Sequence, residues 1–258
     1  MAIPVQGQSN DLIIQLADPT SPVADKRVRL ALQAATDRDA INNAVLSPNY
    51  PIPTGALVKD TPLRGDSSKY LQYDLGKANS LLDEAGWTTG ADGIRVKDGQ
   101  RLTFHLRVAP YYQVSQSVLE VLQSQWKKAG VEITLTSPSL TEYESHERKD
   151  KDWLFDQGQT STAEPGVLRT AFASDRQNQI DAHTPDAVLD GLLVAQSGAF
   201  DPAARKAAIQ AVEDRLFSEG YAIPLYDETQ VFGLATGVNG FTTESTGRAW
   251  LYDTWIAK

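Results

Sequence analysis

Two apolar strands and the helix between them, packed into residues 101–136, restrict this chain more than any other feature of its sequence. RLTFHLRVA alternates apolar and polar residues. VSQSVLEVLQSQWKKAG then sets Val114, Val118, Val121, Leu122 and Trp126 inward on a helix that Gly130 ends, and VEITLT is the next strand. Strand, helix and strand within about 35 residues is the signature of a parallel crossover unit. The spacing therefore predicts an α/β fold.

The flanking sequence supplies helices. DKRVRLALQAA places Val28, Ala31, Leu32 and Ala35 on one face. Asp37 caps a second helix that buries Ile41, Ala44 and Val45, and Asp74 caps LGKANSLLDEAG, which Gly86 stops. Between them, SPNYPIPTGALVKDTPLRGDSS must be an irregular surface segment. DGIRVKDGQ reads as a small hairpin. SLTEYESHERKD reads as a short exposed helix, and residues 152–157 as a further strand running into a polar connection. A helix starts near Pro165, whose fixed φ suits a first turn. Thr184 caps TPDAVLDGLLVAQ, and Asp201, with Pro202 behind it, caps DPAARKAAIQAVEDRLFSEG. The tail segments AIPLYD, QVFGLAT and AWLYDTWI read as short strands.

Composition excludes several functions. A net charge of -9 without a basic run argues against a nucleic-acid partner. The absence of cysteine removes disulfides, thiolate metal sites and cysteine nucleophiles. No segment reaches the roughly 20 apolar residues of a membrane span, and MAIPVQGQSN has neither the basic nor the apolar part of a leader. Five Trp, nine Tyr and seven Phe argue against disorder.

Catalytic and cofactor motifs are missing. The sequence holds no G-x-S-x-G elbow, no phosphate-binding glycine loop and no H-E-x-x-H. His105 lies mid-strand, His146 on a helix face and His183 in a loop, without companions that would make a site. No cofactor is implied. The informative stretch is DWLFDQGQTSTAEPG, residues 152–166. Gln157, Gln159, Thr160 and Ser161 carry groups that donate and accept without charge. They stand where a strand leads into a helix, the usual place for a ligand in an open α/β sheet. The plainer reading is that Ser161 and Glu164, three apart, only begin a helix.

Three landmarks resemble the extracytoplasmic solute-binding proteins of ABC importers, family 5, which bind oligopeptides, dipeptides or nickel. They are SPVADKRVRLALQAATDRDAI at 21–41, YDLGKANSLLDEAGW at 73–87 and AIPLYDETQVFG at 222–233. The resemblance implies the C-terminal lobe of a type II periplasmic-binding-protein-like fold, a mixed sheet flanked by helices. Residues 18–220 would form that lobe. Residues 1–17 and 221–258 would be hinge-crossing segments that complete a missing N-terminal lobe. Proteins of this family are about twice as long, so the chain reads as an excised C-terminal part with weakened ligand binding.

The resemblance further implies a non-enzymatic, monomeric protein outside the cytoplasm that binds a small polar, peptide-like solute and presents it to an ABC permease. The contact residues would be Gln157, Gln159, Thr160, Ser161 and Tyr111, with Arg169 facing an anionic group; Tyr112 is an alternative stacking face. In peptide-binding members a Gly-Trp pair and an ammonium-binding Asp occupy this stretch. Here Gln157-Gly158 and Ser161 stand at those positions, which puts a free peptide N-terminus in doubt as ligand. Without a convergent His, Asp and Glu cluster, a nickel chelate ranks below an organic solute, and no metal site is assigned. Two other classes compete. A soluble hydrolase would use carboxylates of Asp152, Asp156 or Glu164, about 5 to 10 Å apart in a closed pocket. An interaction module would show an exposed apolar patch of several hundred Å².

Overall fold

The computed structural model describes residues 2–3, 8–14, 16, 18–47, 50–58, 61, 63–110, 114–145, 154–161, 165–174, 186–244 and 248–257; residues 2–3, 8–10, 144–145, 154–161 and 230–231 are described through their backbone. Its elements in chain order begin with β1 (Ala2–Ile3), β2 (Gln8–Ile14), α1 (Lys26–Ala34), α2 (Arg38–Ala44) and α3 (Leu75–Glu84). A small meander follows, β3 (Thr88–Thr89), β4 (Arg95–Lys97) and β5 (Gln100–Arg101), and leads into β6 (Thr103–Arg107), α4 (Ser115–Lys128) and β7 (Glu132–Thr136). Then come α5 (Leu140–Ser145), β8 (Leu154–Ser161), α6 (Val167–Phe172), α7 (Ala187–Gly198), α8 (Pro202–Glu219) and β9 (Ala222–Asp227). The tail carries five two-residue strands, β10 (Gln230–Val231), β11 (Val238–Asn239), β12 (Thr242–Thr243), β13 (Ala249–Trp250) and β14 (Trp255–Ile256).

Strand β2 organises the fold. It lies between β8 and β9, antiparallel to both. Successive side chains of a strand face opposite ways. Leu12 and Ile14 accordingly enter one core, built with α1, α2, α3, α4, β6 and β7, while Ile13 enters a second core with α6, α7 and α8. Helices thus cover both faces of the sheet. Strands β6 and β7 pair in parallel, Thr103 opposite Glu132 through Arg107 opposite Thr136, as the crossover spacing requires, and β6 also lies beside β8.

Local signals place most of the helices. Asp37, Asp74 and Asp201 each accept a backbone N–H in the first turn of α2, α3 and α8. Gly130 ends the turn after α4 at φ 80°, and a Cβ there would stand 2.7 Å from Arg95 Cγ. The β4–β5 hairpin turns through Asp98 and Gly99, both at positive φ. Within α4, Val118, Leu122 and Trp126 are fully buried along with Leu119, while Val121 and the preceding Val114, expected on the helix but found at its N-cap, are only partly so.

Two expectations are corrected. Helix α2 buries Ile41 but leaves Ala44 exposed and Val45 half-buried. The interior position next to Ile41 goes to Arg38, whose Nε donates to Pro224 O at 2.6 Å and Nη1 to Leu71 O at 2.8 Å and Thr36 O at 3.2 Å. Burial brings the Arg38 guanidinium down to about 10, with Asp11 and Asp37 pulling the other way. Helix α7 is capped by Asp186; Thr184 lies outside the described residues. Asp186 accepts from Val188 N, Leu189 N, Arg215 Nε and Tyr221 Oη at 2.9–3.1 Å. Burial would raise its carboxyl, but these donors hold it below the usual carboxylate range.

The irregular segment after α2 is pinned to α8. Glu213 accepts from Ala56 N at 3.1 Å and Ser67 Oγ at 3.2 Å, and Gln210 accepts from Asp66 N at 2.7 Å. In the tail, β10 pairs with β1, β11 with β14 and β12 with β13. Trp250, Leu251, Tyr252, Trp255 and Ile256 are exposed there.

Candidate functional site

The uncharged polar run belongs to a strand, which corrects the expectation of a strand over 152–157 followed by a connecting loop. Strand β8 continues to Ser161 because β2 runs beside it along its whole length, Ile14 opposite Leu154 through Gln8 opposite Ser161. Backbone pairing with a distant segment outweighs the weak strand tendency of Gln, Gly and Ser.

The pairing is irregular at one point. Leu12 faces Asp156 but Asp11 faces Gly158, so Gln157 has no residue opposite it. On the other side Asp11 faces Pro224 and Asn10 faces Tyr226, which skips Leu225. Two bulges therefore flank Asp11, which is fully buried. The inserted residue on β9 explains why Leu225 and Tyr226, neighbours in sequence, both belong to the first core.

Beyond the bulges the sheet ends in three aligned rows. Gln159, Asn10 and Tyr226 lie side by side, as do Thr160, Ser9 and Asp227, while Ser161 lies beside Gln8. Asp227 is 3% exposed and Thr229 4%, so this end is polar yet enclosed. Tyr50 packs edge-on against Tyr226 with ring centres 6.1 Å apart. Pro51 O accepts from Asp227 N at 3.3 Å. Burial raises the Tyr50 phenol above its ordinary value, and Glu228 adds to the effect.

Tyr50 also lines a groove of about 470 Å³, with Asp39, Asn42 and Asn43 of α2 and Thr54 and Arg64 of the irregular segment. Asn42 Nδ2 donates to Tyr50 O at 2.6 Å, and Arg64 Nη1 donates to Thr54 Oγ1. The arrangement offers hydrogen-bond donors on one side of a concave surface and the end of a sheet beside it. It can hold a polar solute.

The structure brings Gln157, Gln159, Thr160 and Ser161 into one strand. Tyr111 lies outside the described residues, as do Tyr112, Asp152, Glu164, His146 and His183. Arg169 is half-buried on α6, a helix that lies against β8 and packs Leu168 and Phe172 into the second core. Asp156 sits within β8, opposite Leu12. His105 is exposed on β6. Sequence reasoning missed Asp11, Tyr50 and Asp227. Asp11 had a signal, a carboxylate set directly before the apolar run Leu12–Ile14; Tyr50 had none beyond the proline-rich segment around it. Among the described residues no group of three or more His, Asp or Glu could hold a metal ion, and no helix is long and apolar enough to cross a membrane.

An antiparallel three-stranded sheet between two helical layers, with the parallel pair β6–β7 beside it, is the architecture of a type II periplasmic-binding-protein-like fold. The backbone overlays the Bacillus subtilis oligopeptide-binding protein AppA, solved with a nonapeptide, at a TM-score of 0.82 and 19% identity, over 100% of this chain and 52% of that one. It overlays NikA from Brucella suis, solved with Fe(III)-EDTA, at 0.79 and 22% identity, over 98% and 52%. Residues 6–179 match the model of the bacterial extracellular solute-binding proteins, family 5 (middle), and the chain belongs to that family. It is also 32% identical over 230 residues to Protein XP55 of Streptomyces lividans, covering 87% of this chain and 41% of that protein. The chain spans about half the length of the structures it matches.

Proposed function

We propose that this chain supplies one jaw of the substrate-binding component of an ABC importer. The jaw is residues 18–220 together with β2 and β9, which pair with each other and with β8 in its sheet, and the rest of 1–17 and 221–258 crosses toward the other lobe. Hinge closure of the two lobes encloses a small, polar, peptide-like solute outside the cytoplasm, and the loaded protein hands it to a membrane permease. Gln157, Gln159, Thr160 and Ser161 contact the solute, with Tyr111 and, from α6, Arg169. The observation that carries this reading is the alignment of Gln159, Thr160 and Ser161 with the polar end of β2 and the enclosed end of β9, beside a donor-lined groove.

Ser161 makes the reading selective. A hydroxyl gives a neutral hydrogen bond where an ammonium would need an ion pair, a difference of about 1 to 2 kcal/mol. Thermal-shift titration of the two-lobed protein with a free dipeptide and its N-acetylated form should favour the acetylated ligand. Ser161→Asp should reverse that order. A large shift with the free dipeptide in the unaltered protein, equal to that with the acetylated form, sinks the assignment.

A further inference from the structure

We propose that the groove between α2 and the segment 50–64 is a subsite for a single carboxylate of an organic solute, with Arg64 as its anchor. This rests on the cleft reading above and names what lies at its margin. Arg64 lines the groove, and its guanidinium makes one hydrogen bond, to Thr54 Oγ1, and no ion pair among the described residues. Its fork presents further donors in the planar geometry that matches a carboxylate. Asn43 is exposed on the same wall, and neither its amide nor the Tyr50 phenol has a hydrogen-bond partner among the described residues. A carboxylate accepts about four hydrogen bonds, so these three side chains together suit it.

The surroundings narrow the charge and the shape. Among the described residues, Arg64 is the only cationic side chain on the groove's lining. Asp39 stands on the rim and Glu228 acts on Tyr50. A second charge on the ligand doubles attraction and repulsion alike, but its cost of leaving water rises with the square of the charge, so one guanidinium suits a monoanion. Pro51 and Ile52 add apolar surface next to the donors, and Ile52 is 39% exposed. That favours a carboxylate with a carbon chain behind it over an inorganic ion.

The test is an NMR titration of the chain at low salt with N-acetylglycylglycine, with inorganic phosphate and sodium chloride as separate arms. The acylated peptide should give saturable shifts at the Asn43 side-chain amide and Arg64 Nε. Arg64→Gln and Asn43→Asp should each weaken binding by about tenfold or more. Asn43 is exposed, so its variant tests the groove without disturbing the core. Phosphate, mostly a dianion above neutral pH, should do no more than chloride at equal ionic strength. Absence of a saturable shift up to roughly 50 mM, or unchanged binding in both variants, overturns the subsite. So does a phosphate response stronger than that to the peptide. Shifts confined to Gln159–Ser161 also overturn the groove but leave the cleft assignment standing.

Discussion

Glutamate 213 makes the stability of this chain depend on pH in an unusual direction. Its side chain is fully buried on α8, and burial pushes its carboxyl from 4.5 up to about 7. Donation from Ser67, Ala56 and Leu57 and the charge of Arg64 oppose that rise without cancelling it. The native state therefore holds this proton more tightly than the unfolded chain does. The contribution is complete below about pH 4.5 and is lost as pH rises through 7. The gap is about two and a half pH units, each about 1.4 kcal/mol, so on the order of 3 kcal/mol is at stake. For a chain of this size that corresponds to roughly 6–12 °C in Tm. Glu213→Gln keeps an acceptor oxygen for Ala56 N and removes the titration. Melting curves of both proteins from pH 4.5 to 8 give a difference from which other titrating groups cancel. The variant should gain on the parent by about that amount as pH rises. A difference in Tm that stays flat across the range would refute the argument that burial governs this carboxyl.

Two further outcomes follow from packing. Gly130→Ala puts a Cβ at 2.7 Å from Arg95 Cγ and 3.0 Å from Gly93 O, at φ 80°; urea denaturation should show a loss of about 2 kcal/mol at unchanged m-value. Thr36→Val removes the acceptor of Trp126 Nε1, now 3.1 Å away in a fully buried place, and should cost about 1–3 kcal/mol by the same assay.

The crossover unit was legible because its signals are local: alternation in β6 and β7, one apolar face on α4, and a glycine that alone tolerates the turn at 130. The caps at Asp37, Asp74 and Asp201 were legible for the same reason. What the sequence hid depends on distant partners. Strand β8 extends through Gly158 and Ser161 because β2, some 150 residues away in the chain, pairs with it. Thr184 and Asp186 both belong to the residue types that cap helices, Asp the better of the two, and contacts to Arg215 and Tyr221 accompany the choice of Asp186. Ala44 fits an apolar pattern, yet α2 turns Arg38 inward to satisfy carbonyl groups of two distant segments and of Thr36 just before the helix. At the candidate site, residue type picked out Gln159 to Ser161. Their alignment with Asn10, Ser9, Tyr226 and Asp227 arises only on folding.

The clamp that Arg38 makes on β9 also bears on how copies of this chain can meet. Strand β9 borders the three-stranded sheet, and a bare border is where sheets of different molecules fuse into fibrils. Pro224 has no N–H to offer, and its carbonyl is taken by Arg38. Two residues after the bulge, the Asp227 N–H is taken by Pro51. An incoming strand would have to displace a buried guanidinium and the segment beyond it before forming its first bonds. Growth by adding strands is thereby blocked at this border.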